Sequence, residues 1–265
     1  MTHFCSLRGK VAIVTGGTAG IGKAIALRLA SLGASTVICG RDSTRGEAVA
    51  AEIRRLGNGA TFLPANVLEW DEMTAFVQQV LALEGKIDIC VLSGGGSHYP
   101  AKDQRRKSLG YFQEIVPMEV GKVVLEAALS KITPARAVIG HMIERRSGSI
   151  LFVTSEGGRT PTPTQTAVSF HAGGVMAMSR VIAKEMARFG IRVNTLAISL
   201  VKDTPSWTYA FEAGEDASIY EKLRSKAPFG LASPEDIASI AAFLVADESR
   251  FITGSVVSAT GGITF

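Results

Sequence analysis

Between a short apolar run and a longer helix-patterned one lie Thr15-Gly16-Gly17-Thr18-Ala19-Gly20-Ile21-Gly22. Glycines in such a place permit a tight turn, let the backbone approach a bulky anion, and bring helix close to strand. A helix that starts there aims its unpaired N–H groups and positive dipole end at the anion. The chemistry implied is the gripping of a pyrophosphate by Gly16, Thr18, Gly20, Ile21 and Gly22. Glycines alone also make an ordinary βα turn; the strand before and amphipathic helix after give the cluster its meaning.

The next apolar run ends Ile38-Cys39-Gly40-Arg41-Asp42. An acid at the tip of this strand would hold the adenosine ribose hydroxyls of NAD, whereas an arginine would pair with the 2′-phosphate of NADP. Gly40 takes the tip and Arg41 follows, which favours NADP. Asp42 keeps NAD open, unless it caps the helix that begins at Ser43. Asn66 and Val67, after the third apolar run, are placed beside the adenine, although an asparagine there also satisfies a turn.

Elements must hold these residues in register. Apolar runs at Lys10–Thr15, Ser35–Cys39, Ala60–Pro64, Ile87–Leu92, Ser149–Thr154, Arg192–Ala197 and Ser255–Ser258 predict seven strands. Helical periodicity spans Ile21–Leu32, Ser43–Leu56, Glu72–Leu83, Met118–Ile132, Ala135–Glu144, Thr166–Phe189 and Pro234–Ala246. Strands alternating with helices imply βαβ units. Right-handed crossovers then give an α/β, Rossmann-type, doubly wound parallel sheet with helices on both faces. Ser233-Pro234-Glu235-Asp236 combines a hydroxyl cap, proline at the first helical position and acids in the first turn. One domain over residues 1–265 is expected. Ser97–Gly110 and Lys202–Leu231 read as irregular, and both follow strand carboxyl ends, where open α/β sheets bind ligands.

Composition narrows the function classes. Of the 265 residues 46% are hydrophobic and 20% charged, enough for a large core. A net charge of +4 favours anionic ligands mildly and gives no footprint for nucleic acid. No run approaches the apolar length of a membrane span, and the first residues lack the apolar heart of a secretory leader. Cys5, Cys39 and Cys90 show no metal-type spacing, so no metal is expected, and the latter two sit in strand-like runs as small buried hydrophobes. A cytoplasmic protein acting on a small molecule is the expectation.

The chain resembles the short-chain dehydrogenase/reductase family over nearly its whole length. Thr15–Gly22 matches that family's TGxxxGxG motif, and Gly190-Ile191-Arg192-Val193-Asn194 its stretch into the sixth strand. Ser233–Ala246 and Thr253-Gly254 through Gly261-Gly262 look like its last helix and strand. The resemblance implies NAD(P)-dependent redox chemistry and assembly into a homo-oligomer, tetramer or dimer. It also places Ser93, Gly94 and Gly95 beside the ribose, and Thr204 at the nicotinamide amide. In the family a Ser polarises the substrate oxygen, a Tyr moves its proton, a Lys lowers the Tyr pKa and holds the ribose, and an Asn holds a relay water.

Carried over residue by residue, Ser155 matches the serine. The tyrosine position is Val168, the lysine position Ala172 and the asparagine position Ala127. Neither Val168 nor Ala172 can transfer a proton. The tyrosines, Tyr99, Tyr111, Tyr209 and Tyr220, all lie off this helix, and Lys184 is about three turns too far along it. His171 shares a helical face with Val168 and is a substitute acid or base, or else a packing histidine. Tyr209, near Trp207 and Phe211 in the expected substrate loop (about residues 202–231), is a second candidate, or part of an apolar pocket. Lys102, Arg105, Arg106 and Lys107 would clamp an acid or form a solvated face. Two classes therefore stand. One is an atypical NADP(H)-dependent oxidoreductase, with non-redox chemistry on the same scaffold as its variant. The other is a catalytically silent dinucleotide-binding protein, a sensor or partner subunit.

Overall fold

Successive residues of a strand point to opposite faces, and here both faces are apolar. Ala12 and Val14 pack to one side while Val11 and Ile13 pack to the other. A strand buried on both sides belongs inside a parallel sheet covered by helices. In the computed structural model, which describes residues 5–95, 105–209 and 225–264 (backbone alone for 105 and 106), that is what forms. The strands are β1 Val11–Thr15, β2 Ser35–Gly40, β3 Ala60–Pro64, β4 Ile89–Leu92, β5 Gly148–Ser155, β6 Ile191–Ile198 and β7 Val256–Ala259. They make one seven-stranded sheet in the order β3-β2-β1-β4-β5-β6-β7. Every pairing is parallel.

The helices are α1 Gly20–Ser31, α2 Ser43–Arg55, α3 Trp70–Glu84, α4 Arg105–Leu109, α5 Pro117–Arg145, α6 Thr166–Met186, the single turn α7 Pro205–Trp207, and α8 Pro234–Val245. Residues of α1, α2 and α8 fill one core, and those of α3, α5 and α6 the other. The strand order reverses between β1 and β4, so the crevice outside their carboxyl ends is where this topology receives a ligand.

Local chemistry explains most boundaries. Asp42 caps α2 by accepting from Arg45 N at 2.9 Å. The Ser233 box is complete, with Asp236 N donating to Ser233 Oγ at 3.2 Å and Ser233 N to Asp236 Oδ2 at 2.8 Å. Arg192 on β6 donates to the carbonyls of Leu244, Val245, Ala246 and Ile252, supplying the positive charge that the end of α8 favours. Cys39 and Cys90 are buried in β2 and β4, and burial pushes both thiols up to about 12. They are packing residues.

Two expectations need correction. Proline predicts a break between Ile132 and Ala135, yet α5 runs unbroken through Pro134. Proline forfeits one helical hydrogen bond, but Thr133, Pro134 and Ala135 are all buried, Ala135 within the core, and that packing outweighs the loss. The segment Ser97–Gly110 is not irregular throughout, because Arg105–Leu109 forms α4. Lys102 and Phe211 lie outside the described residues, as do the side chains of Arg105 and Arg106. Among the described residues no helix is long and apolar enough to cross a membrane.

Candidate active site

The turn after β1 is built at the packing limit. Gly16 and Gly20 have φ of +67° and +49°, a region that side chains disfavour. A Cβ on Gly16 would lie 2.7 Å from Gly94 Cα, and one on Gly22 would strike the Gly16 carbonyl. Gly94 N in turn donates to Thr15 Oγ1 at 3.3 Å. The cradle and the exit from β4 are thus one surface, closed by backbone against backbone. No side chain caps α1, and its first turn holds no acid. Its orphan N–H groups and dipole therefore face the crevice unopposed, as a pyrophosphate requires. The residues fit that group.

At the tip of β2 a Cβ on Gly40 would lie 2.7 Å from Thr18 Cγ2, so Thr18 closes over this strand end. Arg41 is exposed beside it. Asp42 also accepts from Arg45 Nε at 2.6 Å. The backbone bond from Arg45 first, then that side-chain bond, hold the Asp42 carboxyl below its usual range. Asn66 Oδ1 accepts from Leu68 N at 3.2 Å, so its oxygen serves the turn, while Val67 is half-buried against the core.

The centre of the crevice forms where β5 meets α6. Ser155 Oγ accepts from Gly157 N at 3.1 Å. A Cβ on Gly157 would lie 3.2 Å from Ser155 Oγ, 3.2 Å from Gln165 Oε1 and 3.5 Å from Val168 Cγ1. Ser155 and Val168 therefore converge on one spot. Gly158 then seats against the backbone of Ala172 and Gly173, with room for no side chain. Glu156 turns the other way. It is buried, pairs with Arg159 at 3.0 Å and accepts from Ser258 Oγ at 3.0 Å, on the β7 side.

His171 is half-buried on α6. Burial first, and the charge of Lys131 second, bring its pKa down to about 4. At neutral pH it is an imidazole, able to accept a proton weakly but not to store one. Lys131 was not singled out by sequence reasoning. It is 7% exposed, and its Nζ donates to Leu92 O at 2.9 Å and Gly94 O at 2.5 Å. Burial alone pulls its pKa down to about 7. The neighbouring Ser130 Oγ is 2.7 Å from Ala127 O and 3.4 Å from Gly94 O. A signal existed: Lys131 interrupts the run Ala127-Ala128-Leu129-Ser130-Lys131-Ile132 and lies one turn after Ala127, on its face.

The start of the expected substrate loop folds back on the cradle. A Cβ on Gly20 would lie 3.0 Å from Pro205 Cδ and 3.6 Å from Thr204 Cβ. Thr204 is buried; its Oγ1 donates to Val201 O at 3.0 Å and accepts from Trp207 N at 3.2 Å. That hydroxyl caps α7. Trp207 and Tyr209 follow, both half-buried.

Comparison with known proteins agrees with this geometry. The family model described as short chain dehydrogenase matches residues 10–214. A cyclohexanol dehydrogenase of a Rhodococcus species is 31% identical, with 100% of both chains covered. A 3-oxoacyl-[acyl-carrier-protein] reductase of Thermotoga maritima is 32% identical over 97% of this chain and 98% of its own. Among solved structures, a gluconate 5-dehydrogenase from Burkholderia cenocepacia, in complex with NADP and tartrate, superposes with a TM-score of 0.86 at 25% identity, covering 98% of this chain and 96% of that one. With motif, strand order and full-length relatives in agreement, the chain belongs to the short chain dehydrogenase family.

Proposed function

We propose that this chain is an oxidoreductase that uses NADP(H), with NAD as the second choice. Its substrate is a carbonyl or hydroxyl carbon of a small, partly apolar molecule, and its proton relay does not use a Tyr–Lys pair. The observation that carries the reading is the cradle: Gly16 abuts Gly94, and the uncapped start of α1 faces the same crevice. The backbone from Gly16 to Gly22 would hold the pyrophosphate, Arg41 the 2′-phosphate, and Ser93 to Gly95 would flank the ribose. The commitment of Asp42 to Arg45 supports Arg41 in that role. So does the NADP held by the gluconate dehydrogenase named above.

When bound, the nicotinamide supplies or accepts the hydride. Ser155 accepts from Gly157 N, which leaves its O–H to donate to a substrate oxygen. Trp207 and Tyr209 give the pocket an apolar side. Val168, converging on Ser155, offers contact but no proton. This last feature favours the second reading, a silent dinucleotide-binding partner; in the first, a group other than Val168 serves the proton.

Exposed apolar side chains also recur along α5, with Met118 at 72%, Leu125 at 59% and Ile132 at 43% exposed, spaced to form one stripe. Phe170 on the adjoining α6 is 71% exposed. We read this face as the contact with a second copy of the chain.

The test is direct. NADPH and NADH are titrated into the protein, and the complex is offered alcohols and ketones, from cyclic alcohols to 3-oxoacyl thioesters, while nicotinamide absorbance is followed. Tight binding with turnover of one class is expected. Binding without turnover across the panel establishes the silent reading, and failure to bind either dinucleotide removes both.

A further inference from the structure

We propose that Lys131 is the buried amine of this site: from α5 it stands directly behind the floor of the cofactor crevice and supplies the positive charge that Ala172 on α6 cannot. The inference rests on the dinucleotide-binding reading above and adds the group that charges the nicotinamide-ribose end.

The geometry is specific. Lys131 Nζ is tied to Leu92 O and Gly94 O, the carbonyls at the carboxyl end of β4. Gly94 is the residue whose Cα abuts Gly16 of the cradle. The amine therefore sits immediately behind the floor of the crevice at the topological switch point, where the ligand lies in this fold. An ammonium has three donors. Two are spent on those carbonyls, and the third has no acceptor among the described residues. No carboxylate among them forms an ion pair with it. A buried, uncompensated ammonium is costly to keep, and a packing lysine would be cheaper as methionine. An anionic ligand in the crevice removes the cost.

Few other charges bear on it. His171 faces it from α6 and feels its charge. From β4 comes only Cys90, whose thiol burial holds near 12, and β5 brings no acid or base. On α4, Lys107 is exposed and Ser108 is buried without a hydrogen-bond partner among the described residues. Glu126 and Arg136 lie further along α5 itself, and Asp71 and Glu72 open α3. Since burial draws the Lys131 amine down to about 7, its charge is present below that pH and lost above it. Anion affinity then falls as pH rises.

The experiment measures the Kd of NADPH and NADH from about pH 6 to about pH 9 for the parent, Lys131→Met and Lys131→Arg. NADH is included because a phosphate monoester has its own proton transition near pH 6, at about the same range. The expected result is a loss of about tenfold in affinity for both dinucleotides as the parent passes through the amine's transition. The Lys131→Met profile is expected to be flat at the weak level and the Lys131→Arg profile flat at the strong one. In parallel, the His171 ring, followed by NMR, titrates near 4 in the parent and higher in Lys131→Met. If Lys131→Met does not fold, the parent and arginine profiles decide alone. Parent affinity independent of pH, or an unchanged slope in Lys131→Arg, overturns the role of Lys131 and leaves dinucleotide binding standing. Failure of both dinucleotides to bind the parent overturns the two together.

Discussion

Arg41 and Asp42 are neighbours in sequence with opposite meanings for cofactor choice, and the fold separates their roles. Asp42 spends its carboxylate on the α2 cap and on Arg45, whereas Arg41 stands exposed at the β2 tip. Arg41→Ala is therefore expected to weaken NADPH by about tenfold to a hundredfold, the worth of a charge-assisted hydrogen bond, and to leave NADH unchanged. Isothermal titration with both dinucleotides checks this; equal losses would mean that Arg41 acts on the fold. His171 shows the converse case, in which helical spacing suggests an acid and environment withdraws it. With a pKa of about 4, it is protonated in about one molecule in a thousand at pH 7. The cause is three-dimensional: burial on α6 and the facing Lys131.

At the scale of elements, α5 runs from the site at the carboxyl edge of the sheet to an ion-pair cluster at its amino edge. Its middle carries Ser130 and Lys131 against the β4 exit. Near its end Arg145 Nη2 lies 3.2 Å from Asp88 Oδ1, while Asp88 Oδ2 takes Lys86 Nζ at 3.0 Å and Val11 N at 2.8 Å. Burial alone would raise the Asp88 pKa; the Val11 amide, then Lys86, then Arg145 outweigh it and hold the carboxyl below its usual range. A lowered folded-state pKa stabilises above the unfolded value and stops doing so as pH falls through the folded one. Asp88→Asn is expected to cost about 2 kcal/mol at neutral pH, and the gap to the parent should close in strong acid. Urea unfolding of both proteins at neutral and at acid pH measures it. A gap that persists in acid would assign the loss to packing.

For the whole molecule, the helices on the two faces differ in what they leave outside. The α1, α2 and α8 side is closed over its core. On the other side α5 exposes the Met118, Leu125 and Ile132 stripe, and the adjoining α6 exposes Phe170. Contiguous exposed apolar surface marks an interaction face. Phe170→Glu is expected to weaken self-association by about 2 kcal/mol or more, as for a central apolar contact. Sedimentation across a concentration series reads it, and a parent that remains monomeric throughout refutes the pairing. The same change should leave the thermal midpoint of the separated chain nearly unaltered, because the side chain is 71% exposed.

Much was legible in the sequence because it is local or periodic. Two-sided apolar runs specify parallel strands, seven of them in the expected places. The Ser233 box and the glycine turn after β1 follow from residue type and spacing, whereas the closure of Gly16 against Gly94 is a contact between distant segments. Long-range placement was not legible. Whether Pro134 breaks α5 depends on what buries it, and whether Asp42 is a cap or a ribose ligand depends on where Arg45 reaches. Lys131 reads along the chain as one lysine in a helix. Its importance arises only when α5 is laid across β4, so that Leu92 O and Gly94 O enclose its amine behind the cradle. Hydrophobic pattern is written residue by residue, so it determined the sheet; desolvation depends on distant neighbours, so only the tertiary structure decided which ionisable group the site contains.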